Sequence, residues 1–417
     1  MYKVQSRAFE PSAEVASSFQ QSSARVMVVR WTPIDRSEHV RCVLEFLKSK
    51  GFDIVFVSVV EPNSQEDAPP QGFGVRNLGL TFDQRGLAKL FAFPKLVIKL
   101  WNLFRTLKPD ILYGIDSWTL PLLYVATLGR FCSRRWRFVY HTFDWLEPGQ
   151  QAWWNVAAER RACRAADLVV NVDRSRARLQ RTCYRLTVTP LELPNFRNLR
   201  YLTPGRNQFL LKNIFADYTE DMVVLVCPTV AAAPRLTVQL IEALALLPPR
   251  YRLVTFAVAS EYRQLCLQRV EALGLETRIR FLAPRSHREW LAVVASGDIG
   301  VIFHDVDESS GYFMANSDRL ASFIACGIPV ICMNVPNLEA LVYRFGLGIC
   351  CDPKDARSVA RAARSLAEDF PGLDVRRSQI RKVFEEDLHF ENFGQRLVDK
   401  LSDFRRGCGS LVNSRMA

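Results

Sequence analysis

The chain has 417 residues, of which 49% are hydrophobic and 11% aromatic, and its 55 basic and 43 acidic side chains give a formal charge of +12. This composition excludes a chain that is disordered throughout, a collagen and a coiled coil. The length predicts two or three domains with large cores. The eleven cysteines form no Cys-x-x-Cys pair, which favours a reducing compartment and buried structural thiols.

The start of the chain, residues 1–24, is rich in Ser, Gln and Ala and lacks the apolar core of a signal peptide. It is predicted to be a loose leader. The longest nearly uncharged apolar stretches, residues 118–129 and 222–234, are much shorter than the roughly 20 residues that cross a bilayer as a helix. We therefore expect a cytoplasmic protein that is either soluble or bound to the inner face of a membrane.

Strand and helix patterns alternate from residue 25 to residue 200. The predicted strands are 25–30, 54–60, 111–115, 138–141, 168–172 and 188–193, and the predicted helices are 39–50, 87–108, 153–165 and 174–184. Strands that are apolar on both faces and separated by helices predict a parallel sheet covered on each side. Residues 25–200 are thus predicted to form one doubly wound, Rossmann-like α/β domain.

The alternation restarts after a polar segment, residues 194–213, which predicts a hinge. The predicted strands are 222–227, 253–258, 278–282, 299–303 and 329–332, and the predicted helices are 235–247, 261–273, 287–295, 317–326, 337–345 and 356–368. A second Rossmann-like domain is expected at residues 201–373. The helical segment that follows, residues 374–417, has no strand after it and could lie across both domains.

Two such domains would place the carboxyl ends of their sheets across a cleft that suits a phosphate-bearing ligand. The densest signal for that ligand is a polar loop followed by a helix start. Its candidate residues are Glu308, Gly311, Asn316, Ser317 and Arg319. A helix start capped by Asn316 or Ser317, with Arg319 in its first turn, predicts a diphosphate site. The alternative is an ordinary loop-to-helix join with a surface arginine.

Residues 319–331, Arg-Leu-Ala-Ser-Phe-Ile-Ala-Cys-Gly-Ile-Pro-Val-Ile, resemble the Lys-Leu-x-Glu-Tyr-Leu-Ala-x-Gly-x-Pro-Val-Ile segment of the family-4 nucleotide-sugar glycosyltransferases. Weaker similarities follow the family's order. Residues 139–144 resemble its Val-Tyr-Asp-x-His-Glu turn, residues 166–170 its Ala-Asp-x-Val-Ile strand, residues 193–195 its Ile-Pro-Asn, and residues 341–348 its Leu-Val-x(3)-Gly-x-Gly. The resemblance spans about residues 25–369 and hence both predicted domains.

This resemblance implies the two-domain GT-B fold, with a nucleotide-diphosphate sugar held by the C-terminal domain and the acceptor by the N-terminal domain. In the family, the lysine of the Lys-Leu segment contacts the donor diphosphate, and here that position is Arg319. Arg235 matches the family's Arg-x(n)-Lys-Gly element, and Thr229 in the same loop is a further donor-binding candidate. The resemblance also implies transfer with retention and no bound metal or other cofactor.

Several positions depart from the family. The glutamate that holds the donor ribose is Ser322 here; its hydroxyl can still form a hydrogen bond, and Glu308 could supply a carboxylate. In the N-terminal turn His141 replaces an aspartate, whereas Asp144 keeps the acidic character. His141 is predicted either to bind the sugar or assist proton transfer, or to be an ordinary histidine satisfied by its surroundings. Arg235, Arg319, His141 and Asp144 are the candidate catalytic residues.

Most of the excess positive charge lies between residues 85 and 137, which contain ten basic and two acidic residues. A long apolar and basic helix, residues 87–108, carries Lys95 and Lys99, and Arg134 and Arg135 follow in a short basic cluster. Such a helix can lie on an anionic membrane; the alternative is a helix buried against the sheet with a narrow solvated stripe. No nucleic-acid-binding motif accompanies the charge, so nucleic acid is not expected as a partner.

The leading hypothesis is a glycosyltransferase that moves a sugar to a polysaccharide, lipid-linked or glycolipid acceptor. Two alternatives remain. A nucleotide-sugar 2-epimerase of the same fold needs carboxylate and histidine groups around the sugar, in which this sequence is poor. A non-catalytic relative that binds a partner or glycan is favoured by the departures at Ser322 and Thr229 and at Met314, where many family members have a glutamate.

Overall fold

The computed structural model describes residues 24–34, 37–60, 74–80, 87–129, 131, 136–145, 148–201, 203, 205–283, 286–305, 317–369 and 372–413. Among these residues, no helix combines the length and the apolar character that crossing a bilayer requires. Nine of the cysteines in this part of the chain are free thiols: Cys42, Cys163, Cys183, Cys227, Cys266, Cys326, Cys332, Cys350 and Cys351.

The first sheet has seven parallel strands in the order β3-β2-β1-β4-β5-β6-β7. They are β1 Arg25–Arg30, β2 Asp53–Val60, β3 Gly74–Leu80, β4 Ile111–Ile115, β5 Arg137–Thr142, β6 Leu168–Asn171 and β7 Leu191–Glu192. Its helices are α1 Glu38–Ser49, α2 Leu87–Leu107, α3 Leu120–Ala126, α4 Trp153–Ala165 and α5 Arg174–Tyr184. One core lies under α1 and another under α2, α3 and α4, so this part of the chain is doubly wound as expected.

The second sheet has six parallel strands in the order β10-β9-β8-β11-β12-β13. They are β8 Val223–Val230, β9 Tyr251–Phe256, β10 Ile279–Leu282, β11 Ile299–Ile302, β12 Val330–Met333 and β13 Gly348–Cys351. The associated helices are α6 Gln208–Ile214, α7 Thr237–Ala245, α8 Glu261–Ala272, α9 His287–Ser296, α10 Asp318–Ala325, α11 Pro336–Arg344 and α12 Ala356–Glu368. Cores on both faces of this sheet repeat the arrangement of the first.

The C-terminal helical pattern forms two helices, α13 Leu373–Glu386 and α14 Glu391–Asn413. In α13, Ile380 and Phe384 are buried in a core of the second sheet. In α14, Leu397 and Leu401 are buried in the first core, with α1. The end of the chain therefore lies across both sheets, which pins the two halves of the molecule together.

Several elements differ from the sequence prediction. The edge strand β3 was not predicted, because its Gly, Arg and Asn residues break the apolar pattern. The strand β13 was also not predicted, and β7 is shorter than predicted, with Val188 exposed before it. The apolar stretch at residues 118–129 contains α3. The boundary predicted at residue 200 falls between β7 and α6 and stays a prediction.

Gly300 in β11 allows α10 to pack closely on the second sheet. A Cβ at this position would lie 2.7 Å from ring carbons of Phe323 in α10. We expect Gly300→Ala to lower the free energy of unfolding by about 1–3 kcal/mol because it overpacks this contact. The measurement is chemical denaturation beside Gly205→Ala, a glycine with no neighbour within 4 Å. Equal unfolding midpoints for the two variants would contradict the close packing.

Candidate functional site at the carboxyl ends of two sheets

The strand order of each sheet reverses at one point, between β1 and β4 in the first and between β8 and β11 in the second. In open α/β sheets, ligands bind outside the carboxyl ends of the strands at such switch points. Elements at these two edges meet in the structure: His39 Nδ1 of α1 lies 3.4 Å from Asp318 Oδ1 of α10, and Ser175 Oγ of α5 donates to Asn337 Oδ1 of α11 at 3.0 Å. The two switch points therefore border one cleft.

Two arginines lie together beside the second switch point. Arg235 follows β8, and Arg319 is in the first turn of α10. Arg319 is only 9% exposed, and its hydrogen bond to Phe303 O is long, at 3.5 Å. Burial and the neighbouring Arg235 lower the pKa of Arg319 to about 10. Within the described residues neither guanidinium has a carboxylate in ion-pair contact, so among these residues the two positive charges are not directly paired.

Burial also lowers the pKa of Arg235, while the Asp144 carboxylate across the cleft acts in the opposite direction. His304, just after β11, is near both arginines; burial and their positive charges lower its pKa. His304 therefore stays neutral near pH 7 and can donate or accept a hydrogen bond. Positive groups held close without an acid favour an anionic ligand between them.

The backbone that presents Arg235 is unusual. Residues 233–235 form a single 3-10 turn, and Leu236 follows in the left-handed conformation with φ 53°. Such a conformation is unfavourable for a branched side chain and natural for glycine. In the Lys-Gly element to which Arg235 was matched, a glycine stands at the position of Leu236.

The start of α10 supplies backbone donors beside Arg319. Ser317 caps the helix by accepting a hydrogen bond from Leu320 N at 3.1 Å, as predicted for one of the two candidate caps. In the described part of the chain the amides of Asp318 and Arg319 have no acceptor. Free amides at a helix start and an adjacent guanidinium are the arrangement expected for a phosphate group.

Ser322 is differently placed from the expectation. It is fully buried, and its hydroxyl accepts a hydrogen bond from Arg197 Nη2 at 2.7 Å and donates one to Asp318 O at 3.1 Å. Both hydrogen bonds are made inside the protein, so a ribose would have to displace Arg197 to reach this hydroxyl. We therefore leave Ser322 out of the donor site that we propose.

Arg197 was not singled out in the sequence. It lies in the connection after β7, is fully buried, and its Nη1 forms an ion pair with Asp318 Oδ1 at 2.8 Å. Burial alone would raise the pKa of Asp318, but Arg197 and His39 outweigh it and hold that pKa well below its usual range. No local motif surrounds Arg197, because its partners lie more than a hundred residues further along the chain.

The first switch point contributes an acidic wall. Asp144 is exposed at this wall, and its pKa is raised by desolvation and by the Asp116 carboxylate. Asp116 has φ 59° and ψ 155°, a strained conformation for a residue other than glycine. Its carboxylate accepts a hydrogen bond from Phe143 N at 2.9 Å and lies 3.4 Å from Arg30 Nε. In the sequence Asp116 is visible only as a charge, since backbone strain leaves no trace in a residue pattern.

His141 does not line the cleft. It is fully buried, its Nδ1 lies 2.7 Å from Tyr113 Oη, and the Phe143 ring stacks on it at 3.9 Å. Burial, with the nearby His39 and Arg30, lowers the pKa of His141 well below its usual value. Burial behind Phe143 favours the structural alternative over direct contact with a sugar. His141 Nε2 has no hydrogen-bond partner among the described residues, and the role of His141 stays a prediction.

The remaining predicted residues divide into two groups. Glu308, Gly311, Met314, Asn316, Arg134 and Arg135 lie outside the described residues. Thr229 is half-buried near the end of β8 with its hydroxyl 3.5 Å from Cys227 Sγ. Lys95 is exposed on α2, whereas Lys99 Nζ donates to Leu78 O of the edge strand β3 at 2.7 Å. The described residues contain no group of His, Cys, Asp and Glu side chains that could hold a metal ion.

Comparison with known proteins is consistent with this geometry. Residues 37–192 match the family described as the glycosyl transferase 4-like domain. HepE from Anabaena, crystallised with UDP and glucose, superposes with a TM-score of 0.71 at 17% identity over 91% of this chain and 100% of that chain. The sucrose-phosphate synthase of Thermosynechococcus elongatus gives 0.71 at 15% identity over 92% and 100%. The fold is GT-B. This confirms the fold class and the family resemblance expected from the sequence.

The GT-B fold is shared by proteins of other activities. A UDP-N-acetylglucosamine 2-epimerase superposes with a TM-score of 0.64 at 13% identity over 92% of this chain and 96% of that chain. No curated protein matches the chain by sequence. Because identities this low establish only the fold, the activity must be argued from the site of this chain.

Proposed function

We propose that this GT-B protein is a glycosyltransferase that takes a hexosyl group from a nucleotide-diphosphate sugar. The observation that carries the proposal is the pair formed by the buried Arg319 and the partly buried Arg235, which lacks a carboxylate partner in the described residues. The pair adjoins the first amides of α10, which have no acceptor among those residues. A pyrophosphate would neutralise both charges and accept these hydrogen bonds. A UDP-sugar is the first donor to test, because HepE was crystallised with UDP-glucose.

The proposed catalysis consists of positioning and electrostatic stabilisation. As the bond between the sugar and the diphosphate breaks, negative charge grows on the departing oxygen, and Arg319 and Arg235 stabilise it. In the retaining reaction that we propose, the departing phosphate itself takes the acceptor hydroxyl proton. The arginine pair then supplies the charge neutralisation for which other enzymes use a metal ion.

The acceptor is proposed to bind at the wall formed by Asp116 and Asp144 on the first sheet, opposite Arg235. Carboxylates with their side chains toward a cleft can accept hydrogen bonds from sugar hydroxyls. We propose a polysaccharide, a lipid-linked sugar or a glycolipid as acceptor, used on the cytoplasmic face of a membrane.

A non-catalytic, nucleotide-binding relative is the second candidate. It is favoured by the hydrogen bond from Arg197 to Ser322, which occupies the position where the resembled family holds the donor ribose. The two candidates differ in turnover: release of nucleoside diphosphate that depends on an acceptor supports the transferase, whereas binding without release supports the relative.

Nucleotide binding is tested by thermal shift of the purified protein with UDP, GDP, ADP, CMP and dTDP. A ligand at about 100 times its dissociation constant adds about 2.7 kcal/mol of stability, which is a shift of a few degrees. We expect one diphosphate to stabilise the parent and to have little effect on Arg319→Ala. The same shift in that variant, or no shift with any nucleotide, would contradict the proposed site.

A further inference from the structure

The exposed tryptophans of this protein lie on one surface. All eight tryptophans fall within the described residues, and four are exposed: Trp153 by 81%, Trp118 by 58%, Trp154 by 43% and Trp101 by 39%. These four are on the outer side of α2, α3 and α4, together with the turn before α3, and this surface is called the tryptophan face below. The rings of Trp118 and Trp154 lie 6.1 Å apart. A group of exposed indoles is unusual for a surface that faces only water.

The tryptophan face is also basic. Lys95 and Arg105 on α2 and Arg160, Arg161 and Arg164 on α4 are exposed. The three helices contain a single carboxylate, Glu159. It is buried and accepts hydrogen bonds of 2.6 Å from Tyr140 and Tyr184. Among the described residues of α2, α3 and α4 no acidic side chain therefore reaches the solvent, and this charge favours an anionic partner for the face.

We infer that the tryptophan face binds a bilayer that contains anionic lipids. Indole rings prefer the boundary between headgroups and acyl chains, and lysine and arginine beside them attract anionic headgroups. The helices lie flat over the first sheet with their inner sides buried in its core. Several indoles and guanidinium groups can therefore contact one plane together.

The tryptophan face lies next to the cleft at the carboxyl edge of the first sheet. Trp118 follows the carboxyl end of β4, and Trp153 begins α4 shortly after β5. The tryptophan face thus reaches the edge that carries Asp116 and Asp144. This step rests on the proposed function: an acceptor whose lipid anchor stays in the bilayer could place its sugar at the cleft.

The inference also refines the predicted membrane contact on α2. Both Lys95 and Lys99 are exposed on α2, and Lys99 Nζ also donates a hydrogen bond to Leu78 O in β3. Arg160 and Arg161, near the middle of α4, are exposed as well. Arg160 Nη2 donates a hydrogen bond to Cys183 O at 3.3 Å, and the Arg161 guanidinium lies 5.1 Å from the centre of the Tyr124 ring. In this surface the main contacts come from α4, which the charge count along the sequence did not include.

The test is sedimentation of the full chain with vesicles of phosphatidylcholine alone or with 30% phosphatidylglycerol. We expect binding to the anionic vesicles and a blue shift of tryptophan emission. Arg160→Glu/Arg161→Glu should weaken binding by at least roughly 30-fold, since each basic residue at a lipid surface contributes about fivefold. Trp153→Ser should weaken binding and remove part of the blue shift.

Matched controls test whether a loss of vesicle binding is specific to the tryptophan face or follows from any change in net charge or in exposed side chains. Arg357→Glu/Arg361→Glu makes the same charge change on exposed positions of α12, and Phe209→Ser removes a side chain that is 73% exposed on α6. Both should bind as the parent does. Equal losses in test and control variants, or binding of soluble maltoheptaose at Trp153 without vesicle binding, would overturn the inference. The assay needs no turnover, so its failure is distinct from failure of the proposed transferase.

Discussion

Replacing Arg319 with alanine is expected to lower turnover by about 100-fold or more at saturating donor. The guanidinium is buried beside Arg235 and makes one long hydrogen bond, to Phe303 O at 3.5 Å. Its stabilising interaction therefore arises when negative charge grows on the leaving diphosphate, which affects the transition state more than the ground state. The measurement is the rate of nucleoside diphosphate release with donor and acceptor, compared with the parent.

The control for this variant is Arg269→Ala, which removes an exposed arginine paired with Glu242 in the same half of the chain. It should turn over at the parent rate. Arg235→Ala should also lower the turnover rate. The double variant should lose less transition-state stabilisation than the sum of the losses in the two single variants, because both arginines act on one diphosphate. Parent-like turnover of Arg319→Ala would remove the diphosphate assignment.

The unfolding midpoint of unliganded Arg319→Ala distinguishes a ligand-binding role of Arg319 from a structural role. Without ligand, the buried Arg319 and the partly buried Arg235 repel each other, so removing Arg319 should leave the unfolding midpoint unchanged or raise it. A marked fall of the midpoint in unliganded Arg319→Ala would instead indicate that the arginine holds the fold. Loss of turnover without loss of stability is the combination that the site predicts.

Replacing Asp318 with alanine is expected to destabilise the unliganded protein by about 3 kcal/mol. The substitution leaves the fully buried Arg197 without its carboxylate, and an unpaired buried charge is costly. The figure is at the low end of the range for buried pairs because the Asp318 side chain is 39% exposed, so water can replace part of the lost interaction. The measurement is the free energy of unfolding in urea.

The matched control is Glu368→Ala, which breaks an ion pair with Arg250 whose side chains are exposed by 39% and 40%. It should cost less than about 1 kcal/mol. Arg197→Met combined with Asp318→Asn should recover most of the loss, because no charge is then left buried. If Asp318→Ala is no less stable than Glu368→Ala, the ion pair between Arg197 and Asp318 does not stabilise the fold.

The same ion pair has a defined pH dependence. The pKa of Asp318 is held below its ordinary value by Arg197 and His39 despite burial. An acid whose folded-state pKa is depressed contributes its full stability above the unfolded pKa, which is about 3.9 for aspartate. That contribution is lost as the pH falls below this value, so the stability difference between Asp318→Ala and the parent should shrink in acid.

The alternating pattern of apolar strands and amphipathic helices was enough to predict two doubly wound domains. Runs such as residues 111–115 are apolar on both faces, a pattern that suits a parallel sheet buried on both sides. The position of Arg319 at a helix start was also visible, because Ser317 is a local capping signal. These features depend on residues that are close together in the sequence, so the sequence pattern is enough to predict them.

The tertiary structure alone decided which polar side chains are available to a ligand. Ser322 and His141 had the right residue type for a sugar site, yet Arg197 engages the first and Tyr113 and Phe143 enclose the second. Arg197 and Ser322 are 125 residues apart in the chain. The grouping of four exposed tryptophans depends likewise on how α2, α3 and α4 pack side by side. Contacts between distant residues leave no periodic signal, so burial, ion pairing and surface composition became visible only once the chain was folded.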